Sequence, residues 1–170
     1  MCKEKGIEDA IEAVKLVNTK IGWKAVSLDI YGPVNNDYQK RLHDFVGNKG
    51  TEIQYKGVVS PNKSVDTIIK YDVLLFPTYY EGEGLPGTLL DAFASGVIVI
   101  ATKWKYNPEF IENQKNGFLT DIKRPDQIAD NLFFLLYNSN IVWKIQYSSR
   151  KSFEEYSEKN VITQICDLLE

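Results

Sequence analysis

Residues 72–101 leave this chain little freedom in how it folds. Val73-Leu-Leu-Phe76 and Val97-Ile-Val-Ile-Ala101 are continuous apolar runs, too short for buried helices. Both predict buried strands, and the β-branched character of the second predicts burial on both faces. Between them lies a loop rich in glycine and proline that carries two acids, Glu81 and Glu83. An apolar helix follows, with Leu89, Leu90, Ala92, Phe93 and Ala94, and Gly96 closes it. A strand, a glycine-rich loop and a helix N-terminus in that order present free backbone N–H groups above the strand end. Such an arrangement suits an anion, especially a phosphate.

The rest of the chain continues the alternation. Ile7, Ala10, Ile11, Val14 and Val17 repeat at helical spacing and predict a helix over about 6–20. Lys24 to Tyr31 reads as a strand stopped by Gly32-Pro33. Residues 36–47 carry a second helical pattern, with Tyr38, Leu42, Phe45 and Val46 on one side. A short strand is expected from Glu52 to Lys56, then a helix from Pro61 to Tyr71 with Val65, Ile68 and Ile69 inward. Asn107-Pro108 looks like a cap and first-turn proline for a helix to about Asn113. Phe118 to Thr120 forms a brief strand, and helical patterns over 126–137, about 140–155 and about 158–169 finish the chain.

This alternation predicts one α/β domain over residues 1–170, with a Rossmann-like, doubly wound parallel sheet and helices on both faces. Ligands in such folds bind at the carboxyl ends of the strands. Tyr31-Gly32, Gly57, Thr78 to Gly87 and Thr102 to Tyr106 then share one rim. Composition narrows the classes further. A net charge of -3 gives no basic footprint for nucleic acid. Two cysteines, Cys2 and Cys166, sit at opposite ends, and His43 is the lone histidine, so no zinc spacing exists. No run approaches a membrane span and the N-terminus has no signal-peptide pattern, which together predict a cytoplasmic protein.

Two motifs overlap in the loop. Gly82-Glu-Gly84-Leu-Pro-Gly87 spells the dinucleotide fingerprint G-x-G-x-x-G. Its context argues against that chemistry. Thr78 to Glu81 separate it from the strand, and Thr102-Lys103 stand where the ribose-binding acid belongs at the end of the next strand.

The alternative uses the acids. The stretch Thr78-Tyr-Tyr-Glu-Gly-Glu83 through Asp91 to Thr102 resembles the donor-binding segment of glycosyltransferase family 4, whose motif is E-x7-E. These are retaining enzymes of the GT-B fold. The resemblance extends to Glu4-Lys5-Gly6, to Trp104-Lys-Tyr-Asn-Pro-Glu109 and to Asn116-Gly117-Phe118, and so covers most of residues 3–135. It implies a C-terminal domain that binds a UDP- or GDP-sugar for transfer to a glycan or lipid-linked acceptor. It also implies roles for particular residues. Glu83 matches the acid beside the donor sugar, and Lys5 matches the cation that stabilises the leaving diphosphate. Gly84, Leu85, Pro86, Gly87 and Thr88 would hold sugar and diphosphate, and Asp91 would bond the ribose. No metal or other cofactor is expected.

Each residue also has a plainer explanation. Glu83 fits a solvated loop acid, Lys5 an ordinary surface lysine. Thr88-Leu-Leu-Asp91 has the form of a capping box, with Asp91 in the first turn. Tyr79, Tyr80, Trp104 and Tyr106 suit either stacking on a ligand or packing of loops.

Three departures from the family stand out. Asp91 is one methylene shorter than the usual glutamate, and Lys105-Tyr106 stands where many members carry a glycine pair. Met1 also comes too late for the family's first central strand and its partner arginine, and the N-terminal acceptor domain is missing. Partner and membrane contacts would then come through that absent half. Five strands are expected, with Lys24–Tyr31 closing directly onto Val73–Phe76. A contrasting reading is a non-catalytic, degenerate transferase domain that completes or regulates a partner. A flavodoxin-like flavin or signalling domain is a third, for which Asp29 is the only acid at an early strand end.

Overall fold

The computed structural model describes residues 1–46, 52–157, 160, 162–163 and 166. A 3₁₀ turn, Lys3–Lys5, leads into α1 (Ile7–Ile21), followed by β1 (Leu28–Tyr31), α2 (Asn36–Phe45) and β2 (Ile53–Gly57). A second 3₁₀ turn, Pro61–Lys63, precedes α3 (Ser64–Ile68) and β3 (Val73–Phe76). The order then runs α4 (Gly87–Ser95), β4 (Ile98–Thr102), α5 (Asn107–Phe110), β5 (Gly117–Thr120), α6 (Pro125–Tyr137) and α7 (Ser139–Glu155). The helical stretch expected over about 158–169 falls mostly outside the described residues.

All strand pairs are parallel, and helices flank the sheets, as the alternation predicts. β4 sits between β3 and β5 and is buried along its whole length. Its Ile98 and Ile100 pack with Ala13, Val14 and Val17 of α1 and with Phe118, Ile128 and Leu132. Its Val99 and Ala101 face the other way, onto Leu89, Ala92 and Phe93 of α4 and onto Phe110. Each fully buried side chain of this size contributes roughly 1.5–3 kcal/mol. A third cluster joins Ile7 and Ile11 of α1 to Ile30, Ile53, Tyr38 and Leu42. α1 therefore spans both parts of the sheet.

Among the described residues there are five strands, and they do not form one sheet. β1 pairs only with β2, while β3, β4 and β5 form a separate three-stranded ladder. The expected direct pairing of β1 with β3 is absent. A groove lies between them instead, and Leu28, Ile30, Leu74 and Phe76 are among its lining residues. Helix α1 packs on both sides of it, against β1 and β2 through Ile7 and Ile11 and against β4 through Val14 and Val17. A polar latch also spans it: Tyr71 donates to Asp29 Oδ2 at 2.8 Å and lies 2.7 Å from the Tyr31 hydroxyl. With one edge on the groove, β3 is only half-buried rather than enclosed.

Other local differences have identifiable causes. Lys24 to Ser27 lie outside β1 because Asn18 takes the place of a neighbouring strand. Its amide donates to the Val26 carbonyl at 2.9 Å and accepts from the Val26 N–H at 2.9 Å. The span expected as one helix from Pro61 breaks into the 3₁₀ turn and a short α3, leaving Val65 and Ile69 exposed. Asn107 does not cap α5; it is buried inside it and donates to the Thr102 carbonyl at 3.0 Å.

Candidate functional site

The loop between β3 and α4 stands at the carboxyl edge of the sheet. Pro77 and Thr78 leave β3 and are buried, while Glu81, Gly82, Gly84 and Leu85 are exposed. Helix α4 begins at Gly87 with Pro86 as its cap residue. This start rules out the capping box: Thr88 lies inside the helix, and Asp91 stands past the first turn, where it cannot reach back to a cap. Asp91 is half-buried on α4.

The backbone around this helix start is poorly satisfied from within. The Gly87 N–H donates to Leu85 O at 2.9 Å and the Leu89 N–H to Pro86 O at 2.8 Å. Among the described residues, the N–H groups of Gly84, Leu85 and Thr88 have no partner. A Cβ placed on Gly84 or Gly87 would meet nothing within 4 Å. Open space therefore faces unpaired donors at the positive end of a helix, the physical requirement for holding an anion.

Lys5 reaches this loop from far away in sequence. Gly6 adopts a left-handed conformation, φ 68°, that ends the first 3₁₀ turn and starts α1. A Cβ there would come within 2.0 Å of the Pro77 carbonyl oxygen, so only glycine lets the two segments touch. The Tyr79 N–H then donates to Glu4 O at 2.7 Å. The result is an ion pair, Lys5 Nζ to Glu83 Oε2 at 2.7 Å. The Glu83 side chain is 14% exposed and that of Lys5 34%. Lys5 also lies 4.9 Å from the centre of the Tyr80 ring. An ammonium has three N–H donors, so the pair with Glu83 leaves others for a ligand.

The loop is held from its other side by the segment after β4. Trp104 Nε1 donates to Tyr80 O at 3.0 Å, and Lys105 pairs with Glu81 at 3.3 Å while also bonding its carbonyl. Trp104 is thus a loop staple. Lys105 has φ 45°, a backbone conformation that glycine adopts more readily than lysine. Tyr79 lies beneath the Lys123 ammonium at 5.0 Å, and Tyr106 is exposed. His43 is exposed on α2, away from this rim.

A cavity of ≈ 550 Å³ opens beside the site. Lys5, Thr78 and Thr88 line it together with residues of β1 and β3. Glu83, Gly84 and Asp91 stand outside it, so the anion-binding surface is a rim rather than an enclosed pocket. Sequence reasoning named Lys5 and Glu83 but not their pairing, and gave Thr78 no role. Its hydroxyl donates to Glu83 Oε2 at 2.7 Å. A threonine just beyond a strand, five residues before an acid, was the available signal.

The family model for glycosyl transferases group 1 matches residues 1–160. The chain belongs to this family. Among solved structures, it is similar to the C-terminal domain of a glycosyl transferase group 1 family protein from Francisella tularensis. That match has 30% identity and a TM-score of 0.73, and covers 93% of this chain and 83% of that one. It is also similar to a variant of TarM from S. aureus solved with fondaparinux, alpha-GlcNAc-glycerol and UDP. There identity is 27% and the TM-score 0.78, over 99% of this chain and 33% of that one. A curated relative is the poly(ribitol-phosphate) alpha-N-acetylglucosaminyltransferase of Staphylococcus aureus (strain COL), 28% identical over 99% of this chain. This group 1 domain spans 33% of that relative's length. Its fold is that of the C-terminal domain of a GT-B glycosyltransferase, Rossmann-like with parallel strands between helices.

Proposed function

We propose that this domain binds a nucleoside-diphosphate sugar at the β3–α4 rim, as the donor half of a glycosyltransferase. The observation that carries this reading is the Lys5–Glu83 pair standing beside the unpaired N–H groups of Gly84, Leu85 and Thr88. These groups divide the ligand by charge. The helix start and Lys5 take the diphosphate, whose negative charge grows as the glycosidic bond to the leaving phosphate breaks. Donors fixed at that position stabilise the transition state more than the ground state. Glu83, an acceptor, takes sugar hydroxyls, and Asp91 takes the ribose. Pro86 shapes the entry to α4, and Gly87 leaves its approach open. The charge is met by Lys5 and backbone dipoles, so the reading requires no metal.

A UDP-linked donor is favoured over a GDP-linked one by the TarM variant, which was solved with UDP. The acceptor is a glycan or a lipid-linked glycan bound by a partner domain or subunit facing this rim. The chain alone binds donor and does not complete transfer. Calorimetric titration of UDP, GDP and their sugars into the 170-residue chain tests the proposal. Saturable binding of one nucleotide series is expected. Absence of binding by every member overturns it.

A further inference from the structure

Thr78 stands at the outer end of a buried polar chain that ties the end of β3 to β4 and α5. The residue is 1% exposed. The hydroxyl has one proton to give, and two acceptors lie near it: Glu83 Oε2 at 2.7 Å and Glu4 O at 3.5 Å. The nearer, charged acceptor takes it. The same oxygen accepts the Tyr80 N–H at 3.3 Å, which polarises the hydroxyl towards Glu83. Behind Thr78 the chain continues inward. Its carbonyl accepts from the Thr102 hydroxyl, and the Thr102 carbonyl accepts from Asn107 Nδ2 at 3.0 Å. Thr102 and Asn107 are 1% and 2% exposed.

The consequence for Glu83 is asymmetric. Oε2 receives both Lys5 and Thr78, whereas Oε1 accepts no hydrogen bond among the described residues. One oxygen is fastened to the protein and the other is left for a ligand. A loop acid held by Lys5 alone would pivot about that single contact. The second donor fixes the plane of the carboxylate.

We infer that Thr78 is a positioning residue: its hydroxyl orients Glu83 so that Oε1 meets the donor sugar. This rests on the donor-binding reading above. The role falls on the sugar, because the Thr78 side chain bonds neither Lys5 nor the N–H groups of Gly84, Leu85 and Thr88 that would hold the diphosphate.

The test compares Thr78→Val, which keeps shape and loses the hydroxyl, with Thr78→Ser, which keeps the hydroxyl. Each is titrated with UDP, UDP-N-acetylglucosamine and UDP-glucose, and with GDP and GDP-mannose, against the unaltered chain. Thr78→Val is expected to weaken the sugar nucleotide by about tenfold, the scale of a hydrogen bond to a charged group, and to leave the bare diphosphate unchanged. Thr78→Ser is expected to restore most of the loss. Should Thr78→Val fail to fold by circular dichroism, Thr78→Ala takes its place with the same readouts.

Equal weakening of diphosphate and sugar nucleotide, without rescue by serine, marks a structural role and overturns the inference. So does an unaltered chain that holds every sugar nucleotide no more tightly than its diphosphate. In both cases the donor-binding reading survives, because the bare nucleotide still binds. An unaltered chain that binds no nucleotide overturns both.

Discussion

Gly6 decides where Lys5 can stand. Its positive φ and its contact with the Pro77 carbonyl leave no room for a Cβ. Gly6→Ala should cost about 1–2 kcal/mol for the left-handed backbone alone, with the steric clash added. A urea titration checks this, and a midpoint equal to that of the unaltered chain would show that the two segments can part without penalty. Tyr38 makes a separate prediction about alkaline conditions. Its ring is 5% exposed, and burial, reinforced by the nearby Glu8 carboxylate, pushes its hydroxyl up to about 12 from the ordinary 10.0. The folded state keeps a proton that the unfolded chain releases above pH 10. Stability is therefore full below that pH and falls as pH rises to about 12, by about 1.4 kcal/mol per unit. Burial and bonds to Tyr31 and Asp29 raise the Tyr71 hydroxyl in the same direction. Tyr38→Phe should flatten the decline without abolishing it, as followed by chemical denaturation between pH 9 and pH 12.

At the scale of elements, α1 carries the most consequence. One end packs on the β1–β2 pair through Ile7 and Ile11, and its middle packs on β4 through Val14 and Val17. Its Asn18 then holds the Val26 backbone at both N–H and carbonyl. Asn18→Ala removes both bonds at once and should cost about 1–2 kcal/mol. Amide hydrogen exchange at Val26 reads the effect locally. Rapid exchange there with the protection of β4 intact is the expected pattern, while unchanged protection at Val26 would remove Asn18 from this role. Helix α4 differs in kind. Its buried side chains, Leu89, Ala92 and Phe93, anchor one face, so the open donors at its start are held on a rigid element. A loop alone would have to be ordered by its ligand at an entropic cost.

Across the whole molecule, the sequence was most readable where one interaction dominates. The run of β4 is buried on both faces, and its shortness and β-branched residues marked it as a strand. The apolar run of β3 reads as a buried strand, yet β3 is half-buried, because an open edge is a fact of topology that composition does not record. Residues 24–27 failed for a related reason: a side-chain amide replaced a strand, and no periodicity marks that exchange. Lys5 and Glu83 were each legible through motif resemblance, but their pairing and the part of Thr78 were not, since both depend on how the loop folds back. The groove between β1 and β3 remains the feature with the widest reach. Two strands there expose main-chain donors and acceptors that nothing among the described residues engages. Such edges are adhesive and indifferent to sequence. Handled alone, the chain should therefore be colloidally fragile. Its weight-average mass by sedimentation should climb with concentration, and should do so in high salt too, because backbone pairing is not screened as charge is. A mass that stays at 19.4 kDa throughout would mean the groove guards its own edges.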